Sequence, residues 1–450
     1  MFGLQHNIVD KVRISALPFN HHDRKTLAPL LTKIKDKSFI LLGEASHGTH
    51  EFYEARIEIT KRLIIDHALT AIAIEGDWPS AYRVNRYIRW QGADTNANEA
   101  LSGFKRFPLW MWRNTLVLDF IDWLRHHNEG LSEKNQVGFY GLDMYSMYES
   151  ISAVLEYLDQ TDPDSARQAR AHYACLDHTE NAQLYGFGVK AKQRPSCEDE
   201  VVEQLINLRN RHLVYAKPGD PVSQEDQFQA EQNANLVKNA EAYYRQMFNS
   251  RTNVWNLRDN HMVETLDNLH KHLARQGDKS IKTKIAVWEH NSHLGDARAT
   301  YMHSLSQINV GQLVRERYGN DCALIGFTTY AGTVTAASDW DEPAERKNIR
   351  PALPNSVEDI FHNTHLKSFY LPLTGADSIP IAKLFSDTKE ERAIGVIYRP
   401  QTERASHYFS CKLSNQFDAV IHYDETHALE PIDPTSEWIL GEESTYPFGT

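Results

Sequence analysis

Ionisable side chains directly follow four short apolar runs, at residues 39–42, 71–74, 136–142 and 285–288. They are Glu44, Glu75, Asp143 and the pair Glu289 and His290. Each run has the length and composition of a buried strand, and ligands bind beyond the carboxyl ends of the strands in open α/β sheets. A single carboxylate at such a junction more often caps a helix, but four together predict that these groups converge on one site.

The first junction, residues 43–51, brings together an acid, hydroxyls and imidazoles. Histidine is the usual general base near neutral pH, and a neighbouring carboxylate fixes the orientation of its ring. His47 with Glu44 fits this description. The alternative is that Ser46 or Thr49 caps the following helix and that His47 is an exposed turn residue.

Arg56 favours the first interpretation. The helix predicted over residues 50–67 has an apolar stripe, and at about 100° per residue Arg56 falls inside it. The stripe consists of Phe52, Ala55, Ile59 and Leu63. A guanidinium that faces a core needs a carboxylate, which Glu44, Glu75 or Asp143 could supply. The alternative is an arginine that extends to the helix end and reaches water.

A second cluster, residues 288–293, places His290 and His293 three positions apart after a predicted strand. Imidazoles at this spacing supply either metal ligands or a second acid/base group, and the spacing alone does not choose. Ser46 stands one position too late for the G-x-S-x-G turn, which disfavours a serine acyl-enzyme. The sequence has no P-loop and no G-x-G-x-x-G fingerprint, so no motif indicates nucleotide binding.

A third stretch, residues 104–114, alternates aromatic and basic side chains. It suits an aromatic wall against a bulky apolar ligand, or simply a well-packed loop. Nucleobase stacking is disfavoured, because 48 Lys and Arg against 60 Asp and Glu give a net charge of -12.

The composition places the chain among folded globular proteins, with 450 residues of which 41% are hydrophobic. No run approaches the roughly 20 apolar residues of a membrane span, and residues 1–19 lack the apolar centre of a signal peptide, so we expect a cytoplasmic protein. The four cysteines include no C-x-x-C pair. We therefore expect small hydrophobic residues rather than a disulfide framework or a thiolate zinc site.

The elements that must position these groups are predicted to be repeated βα units, in which apolar runs alternate with helical periodicity. This pattern predicts an α/β fold with a mostly parallel central sheet flanked by helices, with later strands at residues 322–327, 393–398 and 417–422. Between residues 147 and 276 the periodicity favours a large helical insertion or lid, with a loop at residues 217–221. The chain is thus divided into an N-terminal part of the core (1–146), the insertion (147–276) and a C-terminal part of the core (277–450).

The junctions resemble the erythromycin esterase family along nearly the whole chain. The matching residues occur in order, and they are residues 43–49 with 51–53 and Arg56, residues 75–78 with Arg83, Asn85 and Arg86, residues 110–114, residues 140–143, Arg258 and Asp259, Trp288 with His290, Asn291 and His293, and residues 398–400, 403–404 and 407–408. The sequence departs from the family pattern at Glu289, where a small residue is common. This departure adds a carboxylate beside the expected site.

The resemblance implies a hydrolase that opens the lactone ester of macrolide antibiotics, and so inactivates them, by attack of water without a covalent intermediate. It places the essential histidine at His47 and the later histidines at His290 and His293. The family acids fall at Glu44 and Glu75, and the arginine falls at Arg56. Among the matching residues, those expected to bind substrate are Trp78, Trp112, Arg113, Asp143 and Tyr408.

In the expected mechanism His47, oriented by Glu44 or Glu75, takes a proton from water, and Arg56 with His290 or His293 stabilises the oxyanion. The expected partners are a small-molecule ester or lactone and water, with no cofactor, nucleic acid or membrane.

Two alternatives stay open. One is a metal-dependent hydrolase with zinc or manganese on Glu44, His47, Glu75 and His290, acting on another ester or on a polysaccharide-linked substrate. The other is a non-catalytic relative that binds small molecules. The family also has members linked to exopolysaccharide (succinoglycan) biosynthesis, so membership does not fix the substrate.

Overall fold

Buried apolar runs form a central sheet in the computed structural model, which describes residues 2–176, 182–210, 221–249, 251–277 and 280–441. In chain order the strands are β1 (Leu17–Pro18), β2 (Phe39–Leu42), β3 (Ala71–Asp77), β4 (Gly138–Asp143), β5 (Ile285–Trp288), β6 (Cys322–Ala336), β7 (Glu345–Ile349), β8 (Ser368–Pro372), β9 (Lys389–Arg392), β10 (Tyr408–Cys411) and β11 (Ala419–Thr426).

The sheet has the order β1-β8-β11-β6-β2-β5-β3-β4, and β7 pairs with β6 beside this path. The strands from β11 to β4 are parallel to one another. By contrast, β1, β7 and β8 run antiparallel to their neighbours, and β9 pairs with β10 in a separate antiparallel sheet. The predicted α/β class with a mostly parallel sheet is confirmed.

Helices cover both faces of the sheet. The first part of the chain contains α1 (Phe2–Ser15), α2 (Arg24–Ile34), α3 (His50–His67), α4 (Trp78–Ile88), α5 (Ala97–Leu101) and α6 (Thr115–Asn128). The middle part contains α7 (Met147–Thr161), α8 (Pro163–Tyr173), α9 (Ala182–Lys190), α10 (Glu198–Asn210), α11 (Pro221–Gln246) and α12 (Arg251–Gln276). The last part contains α13 (Asn291–Leu294), α14 (Val310–Tyr318), α15 (Val357–His362), α16 (Ile379–Leu384), α17 (Glu403–Ser406), α18 (Leu413–Gln416) and α19 (Ser436–Leu440). In the described ranges, no helix combines the length and the apolar content that crossing a bilayer requires.

The sheet has a separate hydrophobic core on each face, because side chains alternate along a strand. Phe39 and Leu41 of β2 belong to one core, whereas Ile40 and Leu42 belong to the other. Helices α7–α12 share the first core with the strands, and α2, α3, α4 and α6 share the second. The middle helices therefore form a packed layer of the fold, and α12 contacts β4.

The strand predicted at residues 393–398 does not form. The strand lies just before this segment, at Lys389–Arg392, where it pairs with β10. Within the expected range, Ile394 and Ile397 make only isolated bridges, to Ser46 and to the residue after β6. The segment lines the cavity described below instead of lying against a neighbouring strand, so no ladder forms.

The cysteine expectation is also partly wrong. Cys175 and Cys197 form a disulfide, with Cα atoms 6.0 Å apart, because the fold brings the end of α8 beside the start of α10. Cys322 and Cys411 are free and buried. The loop predicted at residues 217–221 lies outside the described residues except for Pro221, which begins α11.

Candidate active site

The ionisable groups converge at the carboxyl edge of the sheet. Leu42 of β2 and Ile74 of β3 both pair with Trp288 of β5, so the residues after these strands leave the sheet at one level. A cavity of about 810 Å³ lies beyond this edge. Its charged and imidazole-bearing residues are His47, Glu75, Asp77, Arg106, Asp143, Arg258, His290, His293 and His407.

His47 is held by Glu44, which is in turn held by Arg56. The His47 Nδ1 lies 2.8 Å from Glu44 Oε1, and Arg56 Nη2 donates to Glu44 Oε2 at 2.7 Å. Arg56 is fully buried, and its guanidinium lies over the rings of Tyr53 and Trp288, 4.3 and 5.2 Å from their centroids. Glu44 is therefore both the partner of Arg56 and the carboxylate that contacts the imidazole of His47.

Backbone contacts fix the junction that carries His47. Thr49 is the N-cap of α3, but its side chain makes no capping hydrogen bond and instead hydrogen-bonds Ser46. A Cβ at Gly48 would lie 1.8 Å from the Thr335 carbonyl oxygen, so this close approach requires glycine. The backbone N–H of Asn291 donates to the backbone carbonyl oxygen of Glu44 at 2.8 Å, which connects the loop after β2 to the loop after β5.

Arg258 of α12 joins two of the predicted carboxylates. Its Nε and Nη2 donate to the two oxygens of Asp143 at 3.0 and 2.7 Å, and Nη2 also donates to Glu75 Oε1 at 2.8 Å. Burial opposes the charged form of Glu75, but nearby His293, His47 and Arg258 outweigh it and hold the pKa of Glu75 well below its usual range. Arg258 likewise outweighs the effect of burial and lowers the pKa of Asp143. Both carboxylates are therefore ionised at neutral pH.

His293 faces the same arginine. Its Nδ1 contacts Asp259 Oδ1 at 2.9 Å, its Nε2 lies 3.0 Å from Arg258 Nη1, and its ring stacks on Trp255 with centroids 4.5 Å apart. Burial opposes protonation of His293, but Asp259 and Glu75 outweigh it and raise its pKa. Both ring nitrogens are thus engaged by protein groups.

His290 is positioned by its own loop. Its backbone amide donates to Glu75 Oε2 at 2.9 Å, and its Nδ1 accepts from the Ser292 amide at 3.2 Å. The His290 and His47 rings are 4.8 Å apart. Burial and the neighbouring His47 lower the pKa of His290 to about 3, so this imidazole is neutral at physiological pH. With Nδ1 accepting, its proton lies on Nε2.

Glu289, the departure from the family pattern, lies beneath the site rather than in it. Its side chain is fully buried, and neither carboxyl oxygen has a hydrogen-bond partner among the described residues. Burial, reinforced by the nearby carboxylates of Glu75 and Asp259, raises the pKa of Glu289 well above its usual range. At neutral pH this residue is therefore an uncharged carboxylic acid.

Apolar and aromatic side chains form most of the remaining cavity wall. They include Phe104, Phe107, Met111, Trp112, Trp255, Tyr301, Met302, Leu305, Trp340, Val396, Tyr408 and Phe409. Two of the expected substrate-binding residues, Trp112 and Tyr408, are in this group, and a third, Asp143, lies in the polar part of the wall. The stretch 104–114 thus contributes one aromatic side of the cavity.

Trp78 and Arg113, the other two expected substrate-binding residues, lie outside the cavity wall. The Trp78 Nε1 donates to Gln229 at 2.7 Å, and its ring stacks on Tyr140 in the core. Arg113 pairs with Asp433 at 2.6 Å. Both side chains hold elements of the fold together, and their contact with substrate stays a prediction.

The alternative metal set does not present free ligand atoms to a shared point. Glu44 accepts from Arg56 and contacts His47, while Glu75 accepts from Arg258 and from the His290 amide. These protein partners occupy the carboxylate oxygens that a cation would need.

Sequence reasoning gave no role to Trp255, Arg258 and Asp259, which α12 brings to the site. These residues lie on a helix, so they could not be found by looking for ionisable residues at the ends of apolar runs. The one available signal was the pair Arg258 and Asp259 among the residues that resemble the family.

A family model for erythromycin esterase matches residues 64–426. The chain belongs to the erythromycin esterase family. Erythromycin esterase type II of Escherichia coli is 22% identical over 351 residues, which cover 72% of this chain and 78% of that protein. A solved succinoglycan biosynthesis protein aligns with a TM-score of 0.74 and 20% identity, covering 96% of this chain and 99% of that one. A mutant of the erythromycin esterase EreC in its open conformation aligns with a TM-score of 0.64 and 17% identity, covering 91% and 96%.

At these identities the solved structures show a shared fold. Membership of the family makes the chain a hydrolase, with a small-molecule substrate and water as its reactants. The matched range includes Glu75, Arg258 and His290 but begins after His47.

Proposed function

We propose that this hydrolase cleaves a carboxylic ester, and specifically the lactone ring of a macrolide, by attack of a water molecule that His47 activates. The supporting observation is the buried Glu44–His47 pair at the wall of a large cavity, with its 2.8 Å contact. A histidine whose Nδ1 donates to a carboxylate has its lone pair on Nε2, which is the arrangement a general base needs. No covalent intermediate is required.

The roles of the other groups follow from what each one contacts. Glu44 fixes the tautomer of His47, and Arg56 fixes Glu44. Arg56 is fully buried and does not line the cavity, so the oxyanion role expected for it passes to another donor. Of the two expected histidines, His290 is the neutral one and lies beside His47, but its Nε2 is buried, so its donation to the oxyanion requires a shift of the imidazole when substrate binds. An oxyanion donor contributes about 10²–10³-fold to the rate.

The cavity supports a bulky substrate. Its volume of about 810 Å³ lies toward the upper end of the range of about 300–1,000 Å³ for ligand pockets. Aromatic side chains dominate its apolar wall, and Glu75, Asp77 and Asp143 line the polar part. A macrolide, with a large apolar ring and a cationic amino sugar, matches this combination of surfaces.

Mass spectrometry of a macrolide incubated with the purified protein tests the proposal. We expect the product to gain the mass of one water, and we expect acid-quenched enzyme to carry no acyl group during turnover. His47→Ala should lower kcat by about 10²–10⁴-fold. His126→Ala, which removes an exposed histidine on α6, is the matched control and should leave kcat unchanged.

Two results would overturn the proposal. Turnover by His47→Ala at the wild-type rate would remove this residue from the mechanism. Hydrolysis of acylated sugars but of no macrolide, in a panel containing both, would retain the esterase chemistry and reject the macrolide as substrate.

A further inference from the structure

A second cluster of imidazole and carboxylate groups lies beside α3, and none of its members lines the cavity. His21 and His22 occupy the turn before α2, whereas His50 and Glu54 lie one helical turn apart on α3. The Nε2 atoms of His21 and His22 are 2.8 and 3.1 Å from the two Glu54 oxygens. They are 3.2 Å from each other, and His50 Nε2 is 3.7 Å from Glu54 Oε2.

These separations fit a tetrahedral cation site. Zn²⁺ binds imidazole nitrogen and carboxylate oxygen at about 2.0–2.2 Å in tetrahedral geometry, so neighbouring ligand atoms lie roughly 3.3 Å apart. Both Nε2 atoms, 3.2 Å apart, also face Glu54 oxygens, so they either donate protons to that carboxylate or share one cation with it. In the described part of the chain, His21, His22 and Glu54 are the one group of three or more potential ligands whose ligand atoms all lie within 4.8 Å of one another.

The surroundings of His21 orient it as a metal ligand. Its Nδ1 lies 2.8 Å from the hydroxyl of buried Tyr423, which fixes the ring so that Nε2 faces Glu54. A partner of this kind on the second ring nitrogen is typical of histidines that bind metals. The turn itself is held by the His22 amide, which donates to Asn20 Oδ1 at 2.9 Å. The His22 side chain is 62% exposed, which leaves the site open to ions from solution.

We propose that His21, His22 and Glu54 form a Zn²⁺ site in which water takes the fourth position. Imidazole ligands favour Zn²⁺ and neighbouring transition metals over Mg²⁺ and Ca²⁺, which prefer oxygen ligands. The bound ion would cross-link the turn before α2 to the first turns of α3. Because α3 also carries Arg56, the ion would stabilise an element that supports the active site without taking part in the reaction.

Calorimetric titration of the metal-stripped protein with ZnCl₂ tests the site. We expect one Zn²⁺ per chain, and we expect His22→Ala and Glu54→Gln each to weaken binding by at least tenfold. Tyr423→Phe, which removes the hydroxyl that contacts His21 Nδ1, should weaken zinc binding by about 10–100-fold. Zinc should raise the thermal unfolding temperature of the wild type but not of His22→Ala, and MgCl₂ should have no effect on either.

The chain offers two controls. His427 and Glu51 form another histidine–glutamate pair at the start of α3, 2.6 Å apart, with His427 73% exposed. His427→Ala should bind zinc as the wild type does, and so should His47→Asn, which removes an imidazole of the active site. Absence of zinc binding would overturn the proposal. Unchanged affinity in both His22→Ala and Glu54→Gln, or loss of binding in His47→Asn alone, would place any zinc elsewhere and would also overturn it.

Discussion

Replacing Glu44 by glutamine tests the pair at the centre of the proposed mechanism. The carboxylate serves two donors at once, His47 Nδ1 at 2.8 Å and Arg56 Nη2 at 2.7 Å. Glutamine offers one carbonyl oxygen and one NH₂ group that only donates, so in either orientation a donor faces a donor. The buried Arg56 loses its counter-charge in either case, and an NH₂ turned to Arg56 also leaves the guanidinium without an acceptor. An NH₂ turned to His47 forces the imidazole proton onto Nε2 and removes the base.

The burial of the two partners decides between these orientations. Breaking a buried ion pair by removal of one partner costs about 3–5 kcal/mol, whereas an unsatisfied neutral donor costs about 1–3 kcal/mol. Arg56 is 0% exposed and His47 is 7% exposed, so the glutamine oxygen should stay with Arg56 and its NH₂ should face His47. We therefore expect a kcat lower by about 10²–10⁴-fold, because the imidazole is held in the wrong tautomer. The accompanying loss of stability should be about 3–5 kcal/mol, because the buried Arg56 guanidinium loses its counter-charge in either orientation of the glutamine.

Steady-state kinetics on a hydrolysed ester and urea unfolding measure the two effects separately. Glu51→Gln is the matched control, since Glu51 also pairs with a histidine, but with the exposed His427 and outside the cavity. We expect this control to keep the wild-type kcat and to lose at most about 1 kcal/mol of stability, because His427 is 73% exposed. A folded Glu44→Gln enzyme that retained most of the wild-type kcat would refute the assignment of Glu44 as the group that orients His47.

Three further changes have distinct expected outcomes. Arg258→Met should lower the free energy of unfolding in urea by about 3–5 kcal/mol, because Glu75 and Asp143 lose their buried cation. Glu289→Gln should match the wild type in stability at pH 4 and exceed it at pH 8. The pKa of Glu289 is raised in the folded chain, so above the ordinary glutamate pKa the unfolded chain releases a proton that the folded chain keeps. The free energy of unfolding of the wild type therefore falls by up to about 1.4 kcal/mol per pH unit in this range. Trp340→Ala, at an exposed position in the cavity wall, should raise the KM for a bulky substrate several-fold and leave kcat unchanged.

Each of these changes has a control or a contradicting result. Urea unfolding of Arg258→Met within 1 kcal/mol of the wild type would show that the carboxylates do not depend on the arginine. Glu342→Gln, at an exposed position, should show no pH-dependent gain, and a parallel pH dependence of wild type and Glu289→Gln would contradict the buried neutral acid. Trp90→Ala, at a similarly exposed tryptophan outside the cavity, should leave KM unchanged.

The carboxyl edge of the sheet could be predicted from the sequence, since a buried strand is a short apolar run and its end is marked by the first ionisable residue. The strands β2 and β5 have the predicted bounds. Parallel pairing then places the following residues at one edge, which is why Glu44, Glu75 and His290 meet. The buried position of Arg56 followed from helical periodicity, but the choice of Glu44 among three possible carboxylates required the structure.

Arg258 could not be found by the same reasoning. It lies 115 residues from Asp143 and 183 residues from Glu75 along the chain, on a helix rather than at a strand end. Helical periodicity indicates which face of α12 is apolar, but it does not indicate which edge of the sheet the helix approaches. Nor does the sequence reveal that the ring of Trp78, which the family resemblance placed among the substrate-binding residues, stacks on Tyr140 in the core.

The two buried charge networks of the site depend on different parts of the chain. Glu44 and Arg56 are neighbours in sequence and balance each other within one βα unit, so the base His47 is oriented as soon as α3 lies on the sheet. Glu75 and Asp143 are balanced only when α12 brings Arg258 to the strand ends. Docking of the middle helices therefore sets the charge of the cavity wall, while the orientation of the base is independent of it. Changes in the middle helices should accordingly affect stability and substrate binding more than they affect proton transfer.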